Sequence, residues 1–198
     1  MPNNSFIYLG LAAALVAVCW FGWKMSSRSA YESAEYSVLS ADGSFEIREY
    51  PDLWLAATQS SIDAQGGDGG FMRLFRYISG NNDQDQKIAM TTPVFMEQEA
   101  SGSGEQMGFV LPKTVAAGEI PEPSQASVEL RKRDGGKFAV LRFAGRTDGQ
   151  AMSEAETKLR KWMQEQGLSG QNTAEMAGYD PPWIPGMFRR NEVLIRLN

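Results

Sequence analysis

The chain has 198 residues, with 19 Lys and Arg against 24 Asp and Glu for a formal charge of −5, and its first thirty residues hold no acid and only Lys24 and Arg28 as bases. What remains, about 168 residues, suits one ordinary domain, and its acidic balance excludes a general phosphate-neutralising surface and so a nucleic-acid binder. There is no His, and the single Cys is Cys19, so His-ligated iron, zinc fingers, Ser-His-Asp triads, Cys-His dyads and intrachain disulfides are all excluded.

Residues 1–5 form a short tail. From Phe6 to Trp23 the sequence runs 18 residues without a charge, roughly 27 Å as a helix, which is enough to cross a bilayer. Tyr8 at one end and Trp20 and Trp23 at the other sit where amphipathic rings prefer the headgroup zone. Met1 to Ser5 carry only the terminal amine where a cleaved secretory signal has positive charge, so residues 6–23 read as a signal anchor with a single transmembrane helix. Val18 before Cys19 argues against a lipoprotein signal. Lys24 and Arg28 on the C-terminal side favour a cytoplasmic position for the domain. Gly10, Ala13, Ala14 and Ala17 form a small-residue face that either packs on another membrane protein's helix or simply belongs to an Ala-rich anchor.

A polar linker, residues 24–35, leads to predicted strands at Tyr36–Leu39 and Phe45–Tyr50 about a turn at Asp42-Gly43, then at Leu53–Gln59. The Gly-rich stretch Gly66–Gly70 lacks the Lys of a phosphate loop and reads as the entry to a helix, Phe71–Ile78, closed by Gly80. Ile88–Met96 and Gly108–Pro112 read as a hairpin with a Ser/Gly loop at Ser101–Gly104. The second half repeats the order: Ser127–Arg133 turns at Asp134-Gly135-Gly136 into Lys137–Phe143. A helix follows at Gln150–Gln166, capped by Thr147 or Asp148 and stopped by Gly167. It carries Met152, Ala155, Leu159, Trp162 and Met163 on one face and the pairs Glu154–Lys158 and Glu156–Arg160 on the other. The last strand is Glu192–Leu197. Two such units imply an α+β fold of two pseudo-symmetric ββαββ-type halves, the sheet curved or closed and one helix from each half packed on it.

Two segments exceed what packing needs. In FMRLFRYI six of eight residues are apolar; Leu74, Tyr77 and Ile78 make one face, while Phe71, Met72 and Phe75 spill onto another. That second side is either covered by a neighbouring loop or offered to a flat apolar guest, with Arg73 and Arg76 at its rim for carboxylates. In GYDPPWIPGMFRRNE, Pro181, Pro182, Pro185 and Gly186 stiffen a loop that presents Trp183 and Met187. Its simpler reading is a turn into the last strand, with Arg189 and Arg190 paired to acids.

FEIREY, RYISGNN, KIAMTTPV and GYDPP…RRNEV, in this order and spacing, resemble the SOUL haem-binding protein family over Tyr36–Asn198. The resemblance implies a distorted β-barrel of two halves flanked by two helices, residues 36–198, holding a tetrapyrrole non-covalently in a shallow apolar site. Carried over by position, that site comprises Phe71, Met72, Phe75 and Arg76 of the first helix with Trp183, Ile184 and Met187 of the loop. Some members of the family ligate haem iron through a His and others bind without one; here Met72, Met187, Tyr179 or water would have to serve. Asp68 and Ile184 stand where a relative has bases for the propionates, and Arg76 alone keeps the matching charge. This favours a neutral or esterified tetrapyrrole, a lipid or a protein surface over an anionic porphyrin.

Two functions follow from this reading. One is a membrane-anchored tetrapyrrole carrier or buffer; the other is a non-catalytic accessory subunit of a membrane complex, docked through its anchor and apolar surface. Catalysis is not expected: Glu46, Glu49, Asp180 and Tyr179 stand in no recognisable catalytic spacing, and Glu46 and Glu49 fall on opposite faces of a strand.

Overall fold

Alternation along FEIREY sends Glu46, Arg48 and Tyr50 to one side of their strand and Phe45 and Ile47 to the other. All three members of the polar row are buried, and Phe45 and Ile47 pack against the main apolar cluster, so the sheet they belong to has two covered faces. The computed structural model describes residues 16, 31–60, 69–98, 104–146, 149–181 and 184–198. It divides into two compact units, Met1–Tyr31 and Glu32–Asn198, and the account below concerns the second. The predicted span at 6–23 lies outside the described residues apart from Val16, as do Gly66–Asp68, Ser101–Ser103, Thr147, Asp148 and Trp183. Among the described residues no helix is long and apolar enough to cross a membrane.

In chain order the elements are β1 (Glu32–Ser33), β2 (Ser37–Asp42), β3 (Phe45–Tyr50), β4 (Leu53–Gln59), α1 (Gly70–Ile78), β5 (Thr91–Thr92), β6 (Val94–Gln98) and β7 (Glu105–Val110). Then come α2 (Lys113–Ala116), β8 (Glu129–Arg133), β9 (Gly136–Ala144), α3 (Gly149–Glu165), β10 (Glu175–Gly178), a 3-10 turn at Gly186–Phe188 and β11 (Arg190–Arg196). β1 lies parallel to β5, and the others form one antiparallel sheet in the order β2-β3-β9-β11-β10-β6-β7-β4-β8. Exchanging β3, β4, β6 and β7 for β8, β9, β10 and β11 reverses this order and preserves every neighbour, with β2 as the one extra strand. The two-fold relation passes between β6 and β10, where Met96 stands opposite Met176. α1 rests on β4 and β7, and α3 rests on their counterparts β9 and β11. The repeat expected from the sequence is therefore present in the strand order.

The connections β3–β4 and β8–β9 are too short to cross a sheet, and neither makes a hairpin. β3 pairs with β9, and β4 with β8. Tyr50 thus faces Gly136 and Leu53 faces Arg133, which brings four strand ends to one point. There the Gly135 amide donates to Asp52 Oδ1 at 2.7 Å, and Arg196 Nη1 donates to the Gly135 carbonyl at 2.6 Å. A Cβ on Gly135 would lie 2.5 Å from the Tyr50 carbonyl oxygen. Because β3 and β8 stand near opposite ends of the strand order yet meet at these corners, the sheet is curled into a half-barrel. The closed barrel allowed by the sequence is not continuous, since no ladder joins β2 or β3 to β8 among the described residues.

One face of the sheet carries the helices. Leu74, Tyr77 and Ile78 of α1 and Ala155, Leu159, Trp162 and Met163 of α3 are buried there with Ala56, Met107, Phe109, Leu141 and Ile195. Each fully buried large apolar side chain contributes about 1.5–3 kcal/mol. The other face encloses Tyr50, Leu55, Phe95, Phe138, Val140 and Leu194.

Several expectations are corrected. Glu32 and Ser33, assigned to the linker, form β1. Ile88–Met90 is not a strand: Thr91 and Thr92 turn aside to β1, Pro93 has no amide to give a ladder, and pairing resumes at Val94. The Glu154–Lys158 pair is replaced by Gln150 donating to Glu154, whereas Glu156–Arg160 forms at 2.7 Å. α2 and β10 carried no usable signal, being four residues each.

Replacing Gly135 with Ala should cost on the order of 3 kcal/mol or more, because the new methyl meets backbone and not a movable side chain. Gly43→Ala, at φ +60 but with nothing within 4 Å, should cost only about 1 kcal/mol. Urea midpoints of the two variants check this ranking.

Candidate functional site

α1 begins after Gly69, which holds φ 79, a left-handed conformation that favours glycine. Arg73 docks the helix: its Nε donates to Thr58 Oγ1 at 3.0 Å and its Nη2 to the Gln59 carbonyl at 2.5 Å. This corrects the expectation that Arg73 waits at the rim for a guest. Leu74, Tyr77 and Ile78 face the core, Tyr77 Oη donating to the Pro121 carbonyl at 2.9 Å. The remaining apolar residues divide in two. Phe71 is half-buried, its ring edge-on to Phe109 at 5.2 Å and stacked with Phe75 at 6.2 Å. Met72 and Phe75 stay 47% and 43% exposed. Arg76 is exposed beside them, and its guanidinium makes no hydrogen bond or ion pair among the described residues. The result is an apolar shelf with one available cation at its edge.

The Pro-rich loop leaves the sheet at Gly178, which stands opposite Val94, and Val94 stands opposite Phe109 beneath Phe71. The root of the loop is therefore two strands, about 10 Å, from the strand that supports α1. Arg190 clamps the loop through Asp180, its amide donating at 2.6 Å and its guanidinium at 3.0 Å. Arg189 Nε donates to the Ile184 carbonyl at 2.8 Å, within the same loop. Ile184 is half-buried and Met187 is 71% exposed. Of the seven candidate residues, six are thus located on α1 and this loop, and Trp183 lies outside the described residues.

The enclosed face holds a second constellation that the sequence reading did not assign. Arg48, fully buried, donates from Nε to Glu46 at 2.6 Å, from Nη1 to Tyr50 Oη at 3.0 Å, and from Nη1 and Nη2 to the two oxygens of Glu192 at 2.8 Å each. Tyr179 Oη donates to Glu192 at 2.8 Å, and the Tyr36 ring covers the guanidinium at 4.1 Å. Burial pushes the Tyr50 hydroxyl up to about 12, and burial with the Glu192 charge pushes Tyr179 higher still. Tyr179 is therefore occupied as a neutral donor, which removes it from the possible iron ligands. Glu46 is held by Arg48 and Arg142, and Asp180 by Arg190, so these carboxylates serve the fold. Period-two reading of FEIREY could have found the inward row Glu46, Arg48 and Tyr50; nothing local could have found Glu192. A neighbouring group joins Arg131 and Arg133 to Glu97, and Arg133 to Glu175. Burial raises the Glu175 carboxyl against the lowering influence of Arg133.

A separate cavity of 340 Å³ lies under the first turns of α3, floored by Met96, Met152, Met176 and Val193 and rimmed by Glu105 and Glu156. None of the six described candidate residues lines it.

The chain matches the model of the SOUL heme-binding protein family over residues 31–196. It is 31% identical to heme-binding protein 2 of Mus musculus and 30% identical to heme-binding protein 2 of Homo sapiens, each match covering 79% of this chain and 80% of the relative. Among solved structures, the EcmrR C-terminal domain superposes with a TM-score of 0.55 at 9% identity, covering 82% of this chain and 98% of that one, a likeness of fold alone.

Leu74→Ala should cost about 2–5 kcal/mol and Met72→Ala within about 0.5 kcal/mol, since only the first opens a cavity; denaturant midpoints separate them. Stability should also fall at alkaline pH. Tyr50 and Tyr77, both buried, ionise near pH 12 in the fold and near 10 when unfolded. The fold therefore favours their protonated forms, and that contribution is full below about pH 10 and lost as pH rises through 12, at on the order of 1.4 kcal/mol per unit per tyrosine. Urea midpoints across this range should decline, and Tyr50→Phe should make the decline shallower.

Proposed function

This chain belongs to the SOUL heme-binding protein family, and we propose that it is a membrane-anchored protein that binds haem or a related tetrapyrrole non-covalently, as carrier or buffer. The single observation that carries this reading is the exposed second side of α1. Met72 and Phe75 lie open on a helix whose other apolar residues are in the core, with Arg76 beside them. A flat ring resting on Met72 and Phe75 would remove both side chains from water, and Arg76 would meet one carboxylate of the ring's edge. Ile184 and Met187, with Trp183, would approach from the loop. With no His in the chain, the thioether of Met72 or Met187 is the side chain suited to iron; haem supplies a strong Soret absorbance that reports its surroundings. Residues 6–23 would hold the domain at the bilayer, on its cytoplasmic side, and make the membrane both the source and the destination of an apolar ligand.

The same exposed residues also suit the second reading, an accessory subunit docked on a partner in the membrane, with Gly10, Ala13, Ala14 and Ala17 packing on that partner's helix. Haemin titration of residues 32–198, a compact unit by itself, divides the two. A saturable one-to-one Soret shift with Trp quenching is expected, lost in Met72→Glu/Phe75→Glu while the far-ultraviolet circular dichroism is unchanged. Absence of saturable binding up to tens of micromolar would overturn the tetrapyrrole reading for haem, and co-purification in mild detergent would then test the second.

A further inference from the structure

The cavity at the start of α3 follows from the two-fold arrangement of the sheet. α1 rests on β4 and β7, and α3 rests on β9 and β11, so the two central strands, β6 and β10, are left between the helices. Met96 and Met176, partners across the two-fold and members of the helix-side core, make the floor there. The first turns of α3 overhang them: Gly149, Met152, Ser153 and Glu156, at the spacing of one helical face, line the opposite side. Gly149, Ser153 and Ala174 carry too little side chain to fill the gap. A volume of 340 Å³ remains, within the roughly 300–1,000 Å³ of small-molecule sites.

The charge at its rim is of one sign. No Lys or Arg lines the cavity, whereas Glu97, Glu105 and Glu156 do. Alternation along β6 sends the Glu97 side chain to the opposite face with Phe95, where Arg131 and Arg133 hold it. Glu156 is taken by Arg160 at 2.7 Å. Glu105 lies on the same face of β7 as Met107 and Phe109, is half-buried, and its carboxylate makes no hydrogen bond or ion pair among the described residues. One uncompensated negative charge therefore stands beside three thioethers, Met96, Met152 and Met176, whose sulfurs are polarisable and whose chains repack easily. A neutral apolar guest would cover the Glu105 carboxylate without giving it a partner, and an anion would be repelled. A hard metal cation needs more oxygen ligands than this rim offers. An organic cation with an apolar body meets both the charge and the floor.

We propose that this cavity binds a small organic monocation, an ammonium carrying an aryl or alkyl body, with its charge against Glu105 and its apolar part on Met96, Met152 and Met176. The site shares no residue with the shelf on α1 and does not depend on the tetrapyrrole reading.

The test uses the full chain with carbon-13 in its methionine methyls, phosphatidylcholine nanodiscs present throughout, and two ions of matched shape and opposite charge, benzyltrimethylammonium and phenylmethanesulfonate. Benzyltrimethylammonium should shift the methyl signals of Met96, Met152 and Met176 along one saturating one-to-one curve and leave those of Met72 and Met187 in place. Phenylmethanesulfonate should shift none of them. Glu105→Gln keeps the size of the side chain and removes its charge; it should weaken binding of the cation roughly tenfold while the far-ultraviolet circular dichroism is unchanged. An equal response to both ions, or an unchanged affinity in Glu105→Gln, would overturn the inference, because the cavity would then select no charge. Shifts at Met72 or Met187 in place of the cavity methyls would put the cation on the shelf or the loop and overturn it as well. The absence of any saturable shift at millimolar cation would do the same. Haemin titration of the same sample reports the shelf independently of these signals.

Discussion

Four strand ends meet where the Pro51-Asp52 corner crosses the Asp134-Gly135 corner, and the architecture depends on how closely these two backbones approach. Gly135 is needed because a Cβ would stand 2.5 Å from the Tyr50 carbonyl oxygen, a position no side chain can occupy. Asp52 accepts the Gly135 amide, and its carboxyl is held below the usual range by Lys132 and by that amide. Since β3 leaves its corner to pair with β9, and β4 leaves the same corner to pair with β8, each half of the sequence completes the other half's sheet. A single half would leave one edge of its second strand unpaired, and β8, whose one neighbour in the sheet is β4, would have no partner at all. The crossing also curls the sheet and thereby encloses the face opposite the helices.

Enclosure sets the energetics of the polar row that lines that face. Removing an arginine from water costs several kcal/mol, and Arg48 is fully buried. Four charge-assisted or hydroxyl hydrogen bonds and the Tyr36 ring compensate it, so that each of the three guanidinium nitrogens has a partner. The corresponding place in the second half is filled differently. Arg133 lies 4.5 Å over the rings of Phe95 and Phe138, while its Nη1, Arg131 Nε and Glu97 Oε1 have no hydrogen-bond partner among the described residues. Deleting Glu192 would leave two buried guanidinium N–H groups of Arg48 and the Tyr179 hydroxyl without their acceptor, which is more damaging than the absence of the whole group. The segments that carry the family resemblance, FEIREY and GYDPP…RRNEV, meet in this network through Arg48, Tyr179 and Glu192. Their role is to join the first strand of one half to the last strand of the other.

Much of this was legible in the sequence wherever the signal was local. Leu53–Gln59 appears as β4 with the predicted limits, and α1 and α3 differ from expectation by one residue at their ends. The buried stripe Ala155, Leu159, Trp162 and Met163 follows from helical period alone. What was not legible is pairing. No local pattern says that β8 leaves β9 for β4, because the choice is made by a corner more than eighty residues away in sequence. The candidate site divides in the same manner. Excess apolarity in FMRLFRYI was readable and is realised as exposed Met72 and Phe75, whereas the docking of Arg73 on Thr58 required the register of α1 on β4. Phe71 belongs partly to the core because Phe109 reaches it from β7, a contact set by tertiary packing.

The consequence for ligand chemistry is a weak but accessible surface. Covering the exposed parts of Met72 and Phe75 is worth at most a few kcal/mol, whereas a micromolar complex requires about 8 kcal/mol. The remainder must come from the apolar area of the ligand itself, from the loop, and from one charge contact at Arg76. A small apolar ligand cannot meet this requirement, and a highly charged one finds a single cation. A large, flat, mainly apolar molecule meets it through the area it covers. For the proposed ligand, affinity would accumulate over area on the exposed side chains of Met72 and Phe75, and the core beneath would not have to move when the ligand leaves.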